Sequence, residues 1–199
     1  MSEVAGPLDV DLDGDPTIAA GPSVRLEQLH RSNLDGVALL DEQRATTAVM
    51  GGPFRRPPIT DRLQVVPFRT TATGDLVGVL EAFPMGGYPG VTSVSIYTDT
   101  HRARPGWALE AYMLLIPLLF ASGTRIVHHE ILAPNRAIRG VLRKIRLEPS
   151  ATFREHAYAA GRWWDVVIYS FDAAHWDTVE VQLARVSPNQ GAGMRGFGR

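Results

Sequence analysis

No cysteine occurs among the 199 residues, so disulfides, thiolate metal sites and a cysteine nucleophile are excluded, and the redox compartment is left undetermined. Lysine is almost missing: Lys144 is the single lysine among 20 basic residues. A GC-rich genome accounts for that bias first, although the planar guanidinium also matches phosphate oxygens better than an ammonium does. Excess charge of either sign is lacking too, with a formal net charge of −1, so nucleic acid is not an expected partner. No apolar run approaches the roughly 18 residues needed to cross a bilayer, and the acidic start shows no basic segment followed by an apolar one. The expectation is a cytoplasmic chain with no membrane partner. No internal repeat is present, and 45% hydrophobic content at this length suffices for one core but hardly for two.

The ends differ from the middle. Residues 1–22 carry Glu3, Asp9, Asp11, Asp13 and Asp15 with no basic residue, and residues 186–199 are rich in glycine with two arginines. Neither segment can add much to a core, so one domain is expected over residues 23–185 between flexible segments. Pro53 to Pro58, PFRRPP, is a further break, either a plain connector or a loop near a substrate entrance.

Between the ends, strand and helix periodicities alternate, which is the pattern of a mixed α/β (α+β) domain. Val24 to His30 alternates like a half-buried strand, and Ser32 or Asn33 can cap a helix reaching about Thr46. Leu63 to Thr71 and Leu76 to Phe83 flank the turn Thr73-Gly74-Asp75, and Thr92 to Thr98 supplies a third antiparallel strand. A helix from Gly106 to Ser122 follows, stopped by Gly123, with Pro117 predicting a kink inside it. Then come a strand, Arg125 to Leu132, and a helix, Arg136 to Leu147, whose apolar residues share one face and whose arginines largely share the other. Ala151 to Tyr158 and Trp163 to Phe171 form a closing hairpin.

One stretch carries chemistry. In YTDTHRARPGWALEAYMLL, Tyr97 to Leu115, a strand gives way to a loop bearing arginine and glycine that opens into an apolar helix. Backbone N–H groups and fixed positive charge at a helix start are suited to a phosphate. On the strand Arg125 to Leu132, alternation puts His128 and Glu130 on one face and His129 on the other. A packed histidine competes with a base there. HHE as a metal site fails, because adjacent strand residues diverge and no third ligand is placed.

Gly106-Trp107-Ala108-Leu109-Glu110-Ala111, Asn135-Arg136-Ala137-Ile138 with Lys144-Ile145-Arg146-Leu147, and Phe153-Arg154-Glu155-His156 running through Gly161-Arg162-Trp163-Trp164-Asp165 to Tyr169 resemble the GNAT acyltransferase superfamily, in particular its RimJ/RimL-like branch. The resemblance covers roughly residues 23–176. It implies a single GNAT-like domain with a mixed, mostly antiparallel central sheet flanked by helices, and direct acyl transfer from acetyl-CoA or another acyl-CoA to an amine. By the same resemblance Ile96, Tyr97 and Thr98 would hold the thioester and pantetheine arm, Arg102, Arg104, Gly106, Trp107 and Ala108 the pyrophosphate, and Asn135 the cofactor's far side.

The chain departs from the family pattern in places. Ala103 stands where the first Arg or Gln of the loop is usual, Arg104 replaces a glycine, Pro105 removes one N–H donor, Ile138 replaces serine, and Arg146-Leu147 replaces Gly-Phe. Tyr97, His128 and Glu130 are the catalytic candidates, Tyr97 as acid near the sulfur and the other two as proton acceptors. Glu110, in the first helical turn, is read as a partner of the helix dipole. Trp163, Trp164, Tyr158 and Tyr169 are read as core or as pocket wall, and Glu155 and Asp165 as ammonium ligands or hairpin braces. Three functions follow: a small-amine N-acetyltransferase, a protein N-terminal acetyltransferase, and a catalytically impaired acyl-CoA-binding module. Self-association through β edges is left open.

Overall fold

A computed structural model describes residues 16–28, 35, 38, 39, 64–99, 101–159 and 161–186. Most of the expected helix to Thr46, the PFRRPP segment and both extreme ends lie outside them. Eight strands, β1 (Thr17–Ala20), β2 (Val24–Glu27), β3 (Gln64–Thr70), β4 (Leu76–Pro84), β5 (Val91–Thr98), β6 (Ile126–Leu132), β7 (Ala151–Ala159) and β8 (Arg162–Asp172), form one sheet in the order β1-β2-β3-β4-β5-β6-β8-β7. Every neighbouring pair is antiparallel except β5 with β6. Three helices accompany it among the described residues: α1 (Trp107–Ala121), α2 (Arg136–Lys144) and α3 (Ala173–Val186).

All three helices lie on one face. Val24, Leu26, Phe68, Leu80, Val94 and Val127 of the strands pack there against Ala111, Leu115, Ile116 and Leu119 of α1 and Trp176, Val179 and Leu183 of α3. On the opposite face Val65 and Val79 are buried with Leu39 and Tyr97 against them. There Arg69 donates to both Asp35 carboxylate oxygens, at 2.6 and 2.7 Å, and to Glu27 at 2.8 Å, tying Asp35 to the sheet.

Three elements correct the sequence reading. β1 lies within the acidic segment, ahead of the expected domain start at residue 23, because Ile18 and Ala19 reach the core. α3 follows β8 without a break, opened by Asp172, whose carboxylate accepts the His175 N–H at 2.9 Å. α2 also stops at Lys144 and not Leu147. Its end is a left-handed cap: Arg146 has φ 57°, and Leu147 N–H closes on Leu142 C=O at 3.0 Å. A non-glycine residue is penalised in that conformation. Arg146→Gly should therefore raise the unfolding free energy by about 0.5–1 kcal/mol, after allowance for the extra freedom of glycine in the unfolded chain, as measured by urea denaturation.

Candidate functional site

The site starts from a break in hydrogen bonding between β5 and β6. The pair is in parallel register only at Val91↔Ile126, Thr92↔Val127 and Ser93↔His128. Beyond that point β5 stays paired to β4 as far as Gly78↔Thr98, and β6 stays paired to β8 as far as Leu132↔Val166. The sheet is thus split into a V whose arms are each held from outside. Val91 C=O accepts from Met85 N–H and Asp99 N–H donates to Val77 C=O, so odd-numbered residues of β5 address β4 and even-numbered ones face the V. The backbone groups of Ile96 and Thr98 consequently line the opening with no strand partner on that side among the described residues.

Both arms end in helices that start at the mouth of the V. After β5 the chain turns at Asp99, whose carbonyl accepts the Ala103 N–H at 2.8 Å, and then enters α1 through Gly106. Gly106 has φ 94°, and no side chain among the described residues caps the helix. Ala108 and Leu109 therefore keep first-turn N–H groups without an intrahelical acceptor. Arg104 is held over the Trp107 ring at 5.6 Å, and Arg102, an exposed side chain, is 3.4 Å from Asp99. After β6, Asn135 caps α2, its Oδ1 accepting the Ile138 N–H at 3.3 Å.

A polar strip crosses the sheet face opposite the helices, beside the apex of the V. Glu81 of β4, fully buried, is registered opposite Ser95, and Ser93 opposite His128. His128 Nδ1 lies 3.1 Å from Ser170 Oγ, and its Nε2 lies 3.6 Å from Glu130 Oε1.

No family model matches the sequence, and no curated protein matches it. Solved structures do. A GCN5-related N-acetyltransferase from Brucella melitensis has a TM-score of 0.64 at 22% identity, over 91% of this chain and 90% of its own. Spermidine N-acetyltransferase SpeG from Vibrio cholerae gives 0.65 at 12%, over 78% and 97%. Mycobacterium smegmatis RimJ, solved with CoA-disulfide, gives 0.60 at 14%, over 81% and 88%. The fold is that of the GNAT acetyltransferases. At these identities the likeness is one of fold.

Within the GNAT fold of this chain, the residues singled out from the sequence gather at the V: Ile96, Tyr97 and Thr98 on one arm, Arg102, Arg104, Gly106, Trp107 and Ala108 at the α1 start, Asn135 at the end of the other arm. Tyr97, His128 and Glu130 share the face opposite the helices. The terminal hairpin does not supply an acidic pair to the V. Asp165 instead accepts the Glu155 N–H at 2.9 Å, bracing a bulge where Glu155 takes φ 45°. Nor is Glu110 simply a surface partner of the dipole: it is buried, and its Oε1 accepts the Ser23 and Val24 N–H groups at 2.7 and 3.0 Å.

Sequence reading missed Glu81, Ser93 and Ser95, although a lone carboxylate in the apolar run Leu76 to Phe83 was a usable signal. It also passed over the role of His129, which is half-buried on the helix side with Nδ1 2.9 Å from Val94 C=O and Nε2 2.5 Å from the Tyr112 hydroxyl. Burial pushes the His129 imidazole down to about 4, outweighing the Val94 bond that raises it and reinforced by the charge of His128. Burial also holds the Tyr112 phenol well above its usual value, so it remains a donor. An unfolded histidine titrates near 6.5, so between there and about 4 the unfolded state binds the extra proton. Stability is therefore complete above pH 6.5 and falls as pH drops toward 4, by about 3 kcal/mol from this group. Urea unfolding at pH 7 and pH 4.5 should show His129→Leu losing less stability on acidification than the parent chain.

Proposed function

We propose that this chain is an acetyl-CoA-dependent N-acetyltransferase acting on a primary amine of a small molecule. The observation that carries the reading is the V between β5 and β6, with free backbone groups on one arm and an uncapped helix start at its mouth. These groups fit the cofactor: Ile96 and Thr98 can pair with an extended amide-bearing arm as an added strand would, and the Ala108 and Leu109 N–H groups with Arg102 and Arg104 suit a pyrophosphate. Tyr97 and Trp107 border the same path, and Asn135, engaged in its cap, closes the far side. When bound, acetyl-CoA supplies an acyl group already activated as a thioester.

Direct transfer requires the acceptor to lose its proton, since an ammonium has no lone pair. Glu81, buried and opposite Ser95 near the apex, is the proton acceptor in this reading. His128 and Glu130 take a second position on that face, where a carboxylate attracts a cationic acceptor and passes its proton toward solvent. Tyr97 protonates the departing thiolate. The two carboxylates of this face, Glu81 and Glu130, support a small cationic amine over a protein N-terminus.

Calorimetric titration with acetyl-CoA and CoA, followed by free-thiol detection across small amines, polyamines and peptides with free N-termini, tests the reading. Micromolar binding with turnover on a small amine supports it, and turnover on peptides alone transfers it to the protein N-terminal class. Binding without turnover on any acceptor marks an acyl-CoA-binding module, consistent with the donor lost at Pro105 and the pairing of Arg102 with Asp99. No binding overturns the cofactor assignment.

A further inference from the structure

We propose that His129 is the wedge that opens β5 from β6, and that by linking the apex of the V to α1 it positions the two ends of the cofactor site relative to each other. The second half of the proposal rests on the acetyl-CoA reading; the first does not.

A regular ladder between β5 and β6 would continue one step past Ser93 and His128. In a parallel pair each strand's outward residue accepts from the residue one beyond its registered partner. With Thr92 opposite Val127 and Ser93 opposite His128, the next acceptor facing β6 is Val94 C=O, and its regular donor would be Glu130 N–H. The donor it receives is His129 Nδ1, at 2.9 Å. Adjacent strands stand about 4.8 Å apart, so a side chain that takes the backbone donor's place ends the ladder there.

The tautomer follows from the partners. A carbonyl cannot donate, so Nδ1 carries the proton, and in a neutral ring Nε2 must then accept from the Tyr112 hydroxyl at 2.5 Å. The ring is also clamped. Phe171 stacks on it with centroids 6.1 Å apart at 27°, and the Tyr112 ring stands 5.3 Å away. An imidazole bonded at both ends and packed on its faces cannot swing out to let the strands close. Because Tyr112 belongs to α1, the helix whose first turn faces the mouth of the V, one side chain ties the acyl end of the site to the phosphate end.

His129 touches no reacting atom in this account, so it is a positioning residue. The test compares H129L, which keeps bulk but has no donor, with H129N, whose amide N–H can still reach Val94 C=O. Y112F is combined with H129L so that no phenol hydroxyl is left unpaired. Three readouts are used: amide hydrogen exchange at Glu130, acetyl-CoA affinity with the KM and kcat for transfer, and the 15N signature of the imidazole in the parent chain.

In H129L/Y112F the Glu130 amide should gain at least about tenfold protection as the ladder extends, and acetyl-CoA affinity should fall by about ten- to a hundredfold, misplacement of a bound partner by an ångström being worth that much. The loss should appear chiefly in KM, and H129N, which keeps the Val94 bond but drops the Tyr112 link, should hold Glu130 exchange within about threefold of the parent while acetyl-CoA affinity still falls. An Nδ1–H tautomer is expected in the parent, and an Nε2–H tautomer would overturn the wedge whether or not any variant folds. Unchanged Glu130 exchange in a folded H129L/Y112F would overturn it as well. If the parent chain fails to bind acetyl-CoA while Glu130 protection rises, the cofactor reading falls and the wedge stands.

Discussion

Glu81→Gln should lower kcat for acetyl transfer by about 10²- to 10⁴-fold, the range general-base catalysis ordinarily contributes, while acetyl-CoA affinity stays within about threefold. Glu81 sits on the strand that holds β5 in place, opposite Ser95, just where the V begins to open, and its side chain is removed from bulk water. Glutamine keeps the shape and the packing but cannot take a proton. His128→Gln provides the comparison. It removes the second basic group of the same face, whose Nε2 is 3.6 Å from Glu130. If Glu81→Gln keeps full kcat and His128→Gln loses it, the proton acceptor is His128 and the β4 carboxylate is structural. Equal and partial losses in both would mean that the strip acts as one relay.

What could be read without the structure follows from where each signal resides. β3 to β6 and α1 were legible because each is a run of β formers or of apolar residues bounded by turn signals: Val77 to Ala82 is buried without a break, and Trp107 to Ala121 is apolar nearly all round between Gly106 and Gly123. β1 was not, because four residues among aspartates give no period, and its reason for existing is the pairing with β2. α3 escaped for another reason. Trp176, Val179 and Leu183 have helical spacing, but Val181 is 53% exposed and blurs it, and the strand runs into the helix with no glycine or proline between. In the site, the arginines and glycine of the loop announced themselves by composition. Glu81, Ser93 and Ser95 did not, since cross-strand register is what brings them together, and register is a tertiary property. The contrast between His128 and His129 was half legible: alternation separates their faces, but only the fold shows that one meets Ser170 and Glu130 while the other meets Val94 and Tyr112.

Glu110→Ala should destabilise the fold by about 3–5 kcal/mol, because hydrogen bonds to a charged acceptor contribute about 1.5–3 kcal/mol each and two are lost together. The carboxylate lies 3% exposed in the first turn of α1 and receives two backbone donors from a segment 87 and 86 residues away, at the start of β2. Val24 is wholly buried, so its N–H would find no water in compensation. Gly21 belongs to the same arrangement. A Cβ at that position would stand 2.5 Å from Glu110 Oε1, so Gly21→Ala should push the turn off the carboxylate and cost part of the same stability. Glu110→Gln keeps one acceptor oxygen and should cost distinctly less than alanine. Urea unfolding of the three variants checks the order. If Glu110→Ala lost no more than a surface substitution, the carboxylate would be only a partner of the helix dipole, worth about 0.3–1 kcal/mol. The consequence reaches the site: α1 carries the N–H groups at the mouth of the V, and Glu110 is what pins its first turn to the sheet edge, so acetyl-CoA affinity should weaken in Glu110→Ala even where the protein is still fully folded.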